Sequence, residues 1–483
     1  MTAKLFRDVS ASTLQVVINQ SLGLLVFLLI SYYLSRDSFG ELNWSSALFT
    51  FTFSLLTLRL DQVLVKRSAV ELNPAKSLLL FIYHTVLTGV GLYLLLLIAC
   101  MVWPSFFSAH DLLLFIGLSQ LLNFFSLPFK QVANGKEQFD FLAVMSCTAN
   151  FVRLAGLLTT LLFFSLTVHA ILVVFIISSA VELAVSVYYV LVRMHIRLRG
   201  QLYFREYRAF LAESLPQAGV AILMAGITRI DWILLGIFHS PAVTADYSFT
   251  YRVFELSPVP LLVMAPILLS RFSRYLGANP AASLLDIRPV LQRLIRYEMI
   301  LATFLPLALI LVWSPWIDAL THHKYGARNE WIIIVLCACT PFQYITNMAW
   351  SILFARHRLK KILQITFISF LIMLTADLAL IPSFGAWGAA IAYLCYAITE
   401  YVLYMLSGTE LARLRVAWTS LLCCGGAAIL AGSIAMLCTD QAVYRLCLAL
   451  PLYFIALVAT SQLQTNDIGF TRRLLHKNRP PAR

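Results

Sequence analysis

The chain has 483 residues, 60% of them hydrophobic and only 12% charged, with a formal net charge of +13. A mean hydropathy of +0.83 excludes a soluble globular protein. A helix needs roughly 20 apolar residues to cross a bilayer core of about 30 Å. About fourteen runs of that length follow one another, at approximately 11–35, 42–65, 77–103, 111–131, 140–165, 169–192, 213–238, 244–270, 291–317, 331–355, 361–381, 386–407, 416–438 and 442–463. Met1–Ser10 is short and mixed in charge and runs into the first of them, so the start reads as a transmembrane helix and not as a cleavable signal.

The breaks between spans alternate in charge. Every second break is basic: Lys4 and Arg7; Lys66, Arg67 and Lys76; Lys130 and Lys136; Arg193 to Arg208; Arg271 to Arg296; Arg356 to Lys361; Arg413 and Arg415; Arg472 to Arg483. The intervening breaks hold only Arg36, Lys324, Arg328 and Arg445. Cytoplasmic loops retain Lys and Arg, so both ends are expected in the cytoplasm. Basic residues gathered on one face account for the net charge by orientation and by attraction to anionic phospholipids, and no nucleic-acid partner is expected.

The longest interior polar segment, Arg193 to Glu213, alternates basic residues with Leu, Tyr and Phe, as a linker lying in the cytoplasmic interface does. It divides the sequence into an N-terminal six-helix bundle (1–194), an interfacial linker (195–212), a C-terminal six-helix bundle (213–408), two additional transmembrane helices (409–464) and a basic cytoplasmic tail (465–483). The two bundles enter their second helices alike, with F-G-E-L-N-W-S-S-A from Phe39 and V-T-A-D-Y-S-F-T-Y from Val243. Transporters place substrate sites between such repeats. The expected fold class is therefore all-α, polytopic, with a central cavity.

Ionisable groups inside a span cost at least about 2.5 kcal/mol and face a partner or a wet cavity. They are Arg59 and Asp61 in the second span, His84 in the third, Arg153 in the fifth, Glu182 in the sixth, Arg229 and Asp231 in the seventh, Arg252 and Glu255 in the eighth, Asp377 in the eleventh and Glu400 in the twelfth. Arginine stays charged, and its fork of donors matches phosphate or carboxylate. Arg59, Arg153, Arg229 and Arg252 are the candidate substrate contacts, in a cationic cavity for a diphosphate or an acidic sugar. The competing reading is pairing within the protein. Arg252 and Glu255, three apart, can meet on one helix face, whereas Arg59/Asp61 and Arg229/Asp231 cannot. Pro216, Pro258, Pro260 and Pro266 interrupt the seventh and eighth spans.

The nine cysteines lie within or at the ends of apolar runs without zinc-ligand spacing, and His322-His323 lacks further ligands, so no metal is expected. Phosphate-loop, serine-hydrolase and zinc-protease motifs are missing, so the sequence reads as a transporter with no cofactor and not as an enzyme.

Three stretches carry a family resemblance. L-S-R-D-S-F-G-E-L from Leu34 to Leu42 is similar to the stretch after the first helix of polysaccharide exporters. R-I-D-W-I-L-L-G from Arg229 to Gly236, followed by Ala245-Asp246-Tyr247-Ser248 and Tyr251-Arg252, resembles their seventh and eighth helices. I-P-S-F-G-A-W-G-A-A-I-A from Ile381 to Ala392 resembles their most specific turn. The chain thus resembles the oligosaccharide flippases, Wzx-type, of the multidrug/oligosaccharidyl-lipid/polysaccharide (MOP) superfamily. It departs from them at Leu42, often Tyr; Asp246, often Gly; and Asp377, often Asn.

The resemblance implies two bundles that alternate between inward- and outward-facing states in a bacterial inner membrane. The implied cargo is an undecaprenyl-diphosphate-linked glycan, an O-antigen or other surface-polysaccharide unit of the lipopolysaccharide type, with a polysaccharide polymerase and chain-length proteins as partners. Ion coupling or acidic cavity lining would fall to Asp61, Asp231, Glu255 or Asp377. A lipid II flippase shares this architecture. A multidrug/cation antiporter would favour an acidic cavity. A membrane-embedded polymerase or ligase would need a larger external loop than the stretch Asp318–Glu330.

Overall fold

The computed structural model describes residues 2–71, 74–198, 203–278, 288–407, 416–439 and 441–463. The basic tail 465–483, and residues 199–202, 279–287 and 409–415 of the other basic stretches, lie outside the described residues. Helix accounts for nearly all of the described residues, and no strand occurs among them. Among the described residues, eleven helices are long and apolar enough to cross a membrane, or twelve with one bent pair taken as a single span. The protein is a multi-pass membrane protein.

The chain forms two compact units, Met1–Ser248 and Phe249–Arg483. The first holds α1 (Thr2–Tyr33), α2 (Arg36–Thr57), α3 (Leu60–Val70), α4 (Ala75–Val102), α5 (Pro104–Ala109), α6 (Leu112–Gly135), α7 (Phe139–Phe163), α8 (Val168–Tyr188) and α9 (Phe204–Phe238). It also holds the start of α10 (Pro241–Phe254). Helix α6 lies at its centre, against α2, α3, α4 and α8, and α1 packs on α7.

Glycines let α2 approach α9 and α10 closely. A Cβ on Gly236 would lie 2.0 Å from the Trp44 ring, and one on Gly40 would lie 1.7 Å from the Pro241 carbonyl oxygen. Trp44, seated on Gly236, donates its Nε1–H to the Ile233 carbonyl at 3.2 Å. Arg36 at the start of α2 pairs with Asp246. The departure at Asp246 therefore comes with its own counter-charge. At the opposite end, Glu213 of α9 takes Arg67 at 2.8 Å and Lys66 at 3.2 Å, and Glu206 takes Lys76 at 2.5 Å. Helix α9 thus starts at Phe204, well ahead of the expected span start near 213.

The second unit continues with α11 (Val259–Ala278), α12 (Arg288–Thr321), α13 (Glu330–Cys337), α14 (Thr340–Ala355), α15 (Leu359–Phe384), α16 (Ala386–Leu406), α17 (Val416–Cys438) and α18 (Ala442–Ala459). Two expected spans are broken helices here. The span 244–270 breaks at 255–258, just before Val259-Pro260, and 331–355 breaks before Pro341. Proline removes a ladder donor, so breaks fall beside it. The two breaks meet, with Ser257 Oγ 2.8 Å from Thr340 Oγ1. Between α15 and α16 the backbone turns at Gly385, whose φ of 55° suits glycine. The most specific motif of the sequence is therefore a tight corner.

Two tests follow from this packing. Gly40→Ala should destabilise the detergent-solubilised protein by about 1–3 kcal/mol in thermal unfolding, because the contact is backbone and cannot rotate away. The Glu213 carboxyl, outside the spanning part of α9, is held below its ordinary 4.5 by the hydrogen bond from Arg67. A depressed carboxyl contributes stability above its unfolded-state value and loses it as the pH falls through the folded-state value. Glu213→Gln should therefore unfold earlier than wild type at pH 7 by about 0.2–1 kcal/mol, since the pair is partly exposed. That gap should close as the pH is lowered below 4.5.

Candidate functional site

The second span, expected as one helix, bends by 50° between α2 and α3. No Gly or Pro marks the place; the local sequence is L-L-T-L-R-L-D-Q from Leu55 to Gln62. Leu58 and Arg59 both take left-handed backbone, at φ 48° and 61°. Each such non-glycine residue costs about 1–2 kcal/mol. A helix that stops inside a membrane also leaves carbonyls needing donors. Leu55 O accepts from Leu58 N at 3.2 Å, and Phe53 O from Thr57 Oγ1 at 2.8 Å. Leu56 O accepts from Nε2 of His84 on α4 at 2.7 Å. That nitrogen must carry the proton, so Nδ1 accepts from the Tyr207 hydroxyl at 2.8 Å. Buried His84 is thereby the cap of the break.

The break opens a cavity of about 390 Å³ within the first unit. Ser54 and Thr57 come from the end of α2, Arg59 and Asp61 from the start of α3, and Leu127 from α6. Ala221, Met224, Ala225 and Thr228 of α9 complete it. Their spacing of three and four residues is one helix face. Arg59 and Asp61 line the same cavity without pairing: Arg59 has no ion pair among the described residues. Asp61 Oδ2 accepts from Gln62 Nε2 at 3.3 Å, while its buried Oδ1 has no hydrogen-bond partner. The arrangement offers a donor fork to an anion and a free carboxylate oxygen to a hydroxyl.

The other sequence candidates lie elsewhere. Arg229 stacks on Trp232, its guanidinium carbon 4.7 Å from the ring centroid, next to cavity-lining Thr228. Asp231 is fully buried and accepts from the Tyr247 hydroxyl at 2.6 Å and from the Trp232 amide at 2.8 Å. Arg153 donates to Ser178 at 3.0 Å and Ser179 at 3.4 Å and lies over the Phe175 ring at 4.7 Å. In the second unit, Arg252 pairs with Glu255 at 2.6 Å, at the break of the eighth span. Asp377 of α15 and Glu400 of α16 are buried. Glu182 pairs with Lys130 of α6.

Sequence reasoning missed Glu298 of α12, which is 1% exposed with both carboxylate oxygens lacking a hydrogen-bond partner. It lies within the ninth span and close to its basic start, and that position was the available signal.

The profile of the polysaccharide biosynthesis protein family matches residues 5–275, more than half of the sequence. The chain belongs to the polysaccharide biosynthesis protein family. Among solved structures it is similar to the lipid II flippase MurJ in an inward closed conformation, with a TM-score of 0.73 at 15% identity, covering 95% of this chain and 99% of that one. It is also similar to an inward-facing multidrug resistance MATE family transporter of the MOP superfamily, at 0.63 and 14% identity over 84% of this chain and 98% of that one. A third is a MOP superfamily transporter from Pyrococcus furiosus described as having a binding pocket of reverse polarity. It gives 0.57 at 14% identity over 85% of this chain and 95% of that one. At these identities the likeness shows the fold, that of MOP transporters. No curated protein sequence matches the chain.

Replacing His84 tests the account of the break. His84→Ala would leave the Leu56 carbonyl and the Tyr207 hydroxyl without their partner. It should lower stability by about 1–3 kcal/mol, read as an earlier unfolding transition in detergent.

Proposed function

We propose that this family member is a flippase that moves a polyprenyl-diphosphate-linked oligosaccharide, an O-antigen or other surface-polysaccharide unit, across a bacterial inner membrane by alternating access. The observation that carries the reading is Arg59, unpaired among the described residues and facing a cavity at a strained helix break. A cation set within a membrane span without a counter-charge of its own calls for an anion that comes and goes. A diphosphate would take the guanidinium in bidentate fashion, and a sugar hydroxyl would donate to Asp61. Family membership supplies the glycan context, and the MOP fold supplies the transport mode.

In this reading Arg229, one residue beyond cavity-lining Thr228, would leave the Trp232 ring to become the second contact. Arg153 and Arg252 would exchange their serines and Glu255 for substrate oxygens. Asp231, Glu255 and Asp377 are the candidates for ion coupling.

The test is translocation in liposomes holding the purified protein, with accessibility of the lipid-linked glycan to an external glycosidase as the readout. Wild type should expose the glycan. Arg59→Ala should slow exposure about 10- to 100-fold, the worth of one charge-assisted contact, with insertion intact. Normal exposure by Arg59→Ala removes the cavity from the mechanism. Failure across a panel of glycans, with efflux of a small cation instead, moves the protein to the antiporter reading; transport of lipid II alone moves it to the lipid II flippase reading.

A further inference from the structure

A second cavity, of about 450 Å³, lies at the basic face of the first unit, away from the helix break. It sits where the start of α4, the α6–α7 turn and the end of α8 come together. Lys136, Arg193 and His195 line it, and no carboxylate does. Gln138 is a further polar side chain on the wall, and Pro74, Phe141, Met194 and Ile196 give it an apolar part. The side chains of Arg193 and His195 have no ion pair or hydrogen bond among the described residues, whereas the Lys136 ammonium donates to the Glu71 carbonyl.

The backbone is shaped around the same place. Helix α8 ends in a wide turn over Tyr189–Arg193, where Met194 N bonds to Tyr189 O at 2.9 Å. Such π turns cluster at functional sites. His195 then takes φ 54°, a conformation that glycine would adopt without cost. Orientation in the membrane needs basic residues on this face, but it does not need three of them around one cavity with an apolar wall.

We infer that this cavity is a binding site for the phosphate group of an anionic phospholipid in the leaflet on the basic face. Lysine and arginine supply charge-assisted donors to the phosphate, and the apolar wall takes the adjoining glycerol and first acyl carbons. A free phosphate ion would use the cations and leave that wall bare, so the lipid is the better fit. The site is independent of the flippase reading.

The experiment titrates dioctanoyl phosphatidic acid into the full-length, detergent-purified protein and counts bound lipid by native mass spectrometry. Wild type should retain one lipid saturably. The double variant Lys136→Gln/Arg193→Gln should bind at least about tenfold more weakly. Arg197→Gln, which removes a nearby exposed charge outside the cavity, should bind like wild type. Dioctanoyl phosphatidylcholine, whose phosphate is masked by choline, should bind weakly, and inorganic phosphate at equal concentration should not compete. Undiminished binding by the double variant overturns the site. An equal loss in Arg197→Gln reduces the effect to general surface charge. Competition by inorganic phosphate at equal concentration would make the ion, and not the lipid, the ligand.

Discussion

Backbone groups in a bilayer find their partners inside the protein or not at all. The rest of the first unit can be read from how this chain meets that demand at Leu58–Arg59. Two left-handed residues stop α2 without a glycine or a proline. A histidine from α4 supplies the missing donor, the Leu56 carbonyl fixes which nitrogen of that histidine carries the proton, and a tyrosine hydroxyl from the start of α9 holds the other nitrogen. The break is thus held by three helices. It sets Arg59 at the N-terminal flank of α3 and Asp61 in its first turn, both on the wall of one cavity, where a continuous helix would have left them two residues apart on different faces.

The same demand separates the intramembrane charges. Lys130 with Glu182 and Arg252 with Glu255 answer each other. Arg153 is satisfied by hydroxyls and a ring face, and Asp231 by a hydroxyl and an amide. Such groups join helices to one another. Arg59 and one oxygen of Asp61, like the Glu298 carboxylate, have no answering group among the described residues, and the first two line the cavity at the break. By sequence alone the second, seventh and eighth spans each carry one arginine and one carboxylate in the interior. Partnering, which only three dimensions reveal, points to the second.

Much of the fold was legible in the sequence because membrane helices follow from hydropathy alone. Each expected span falls on a helix or on a broken pair, and the breaks beside Pro260 and Pro341 carry their cause in the residue type. The corner at Gly385 was visible as a motif, although its physical content is a backbone angle. The break at Leu58 was not legible, because its stabilising partner His84 is distant in sequence and ordinary in context. The pairing of Arg36 with Asp246 was hidden for the same reason: 210 residues separate two side chains that meet. Glu298 was overlooked because it lies near a basic helix start, where a carboxylate ordinarily reaches water.

Both limbs of the broken span are seated by shape. Before the break, α2 is interlocked with α9 and α10 through Gly40, Gly236 and the Trp44 ring. Beyond it, α3 is interlocked with α6 at Gly135, where a Cβ would lie 2.7 Å from the Ser68 Cβ and from the Val65 carbonyl oxygen, and Leu60 and Leu64 are buried in one apolar cluster with Phe210 of α9. The ion pairs of Arg67 and Lys66 with Glu213 add to that packing. In mechanical terms the break is a clamped knee and not a hinge, and it holds the cavity's arginine at a set angle.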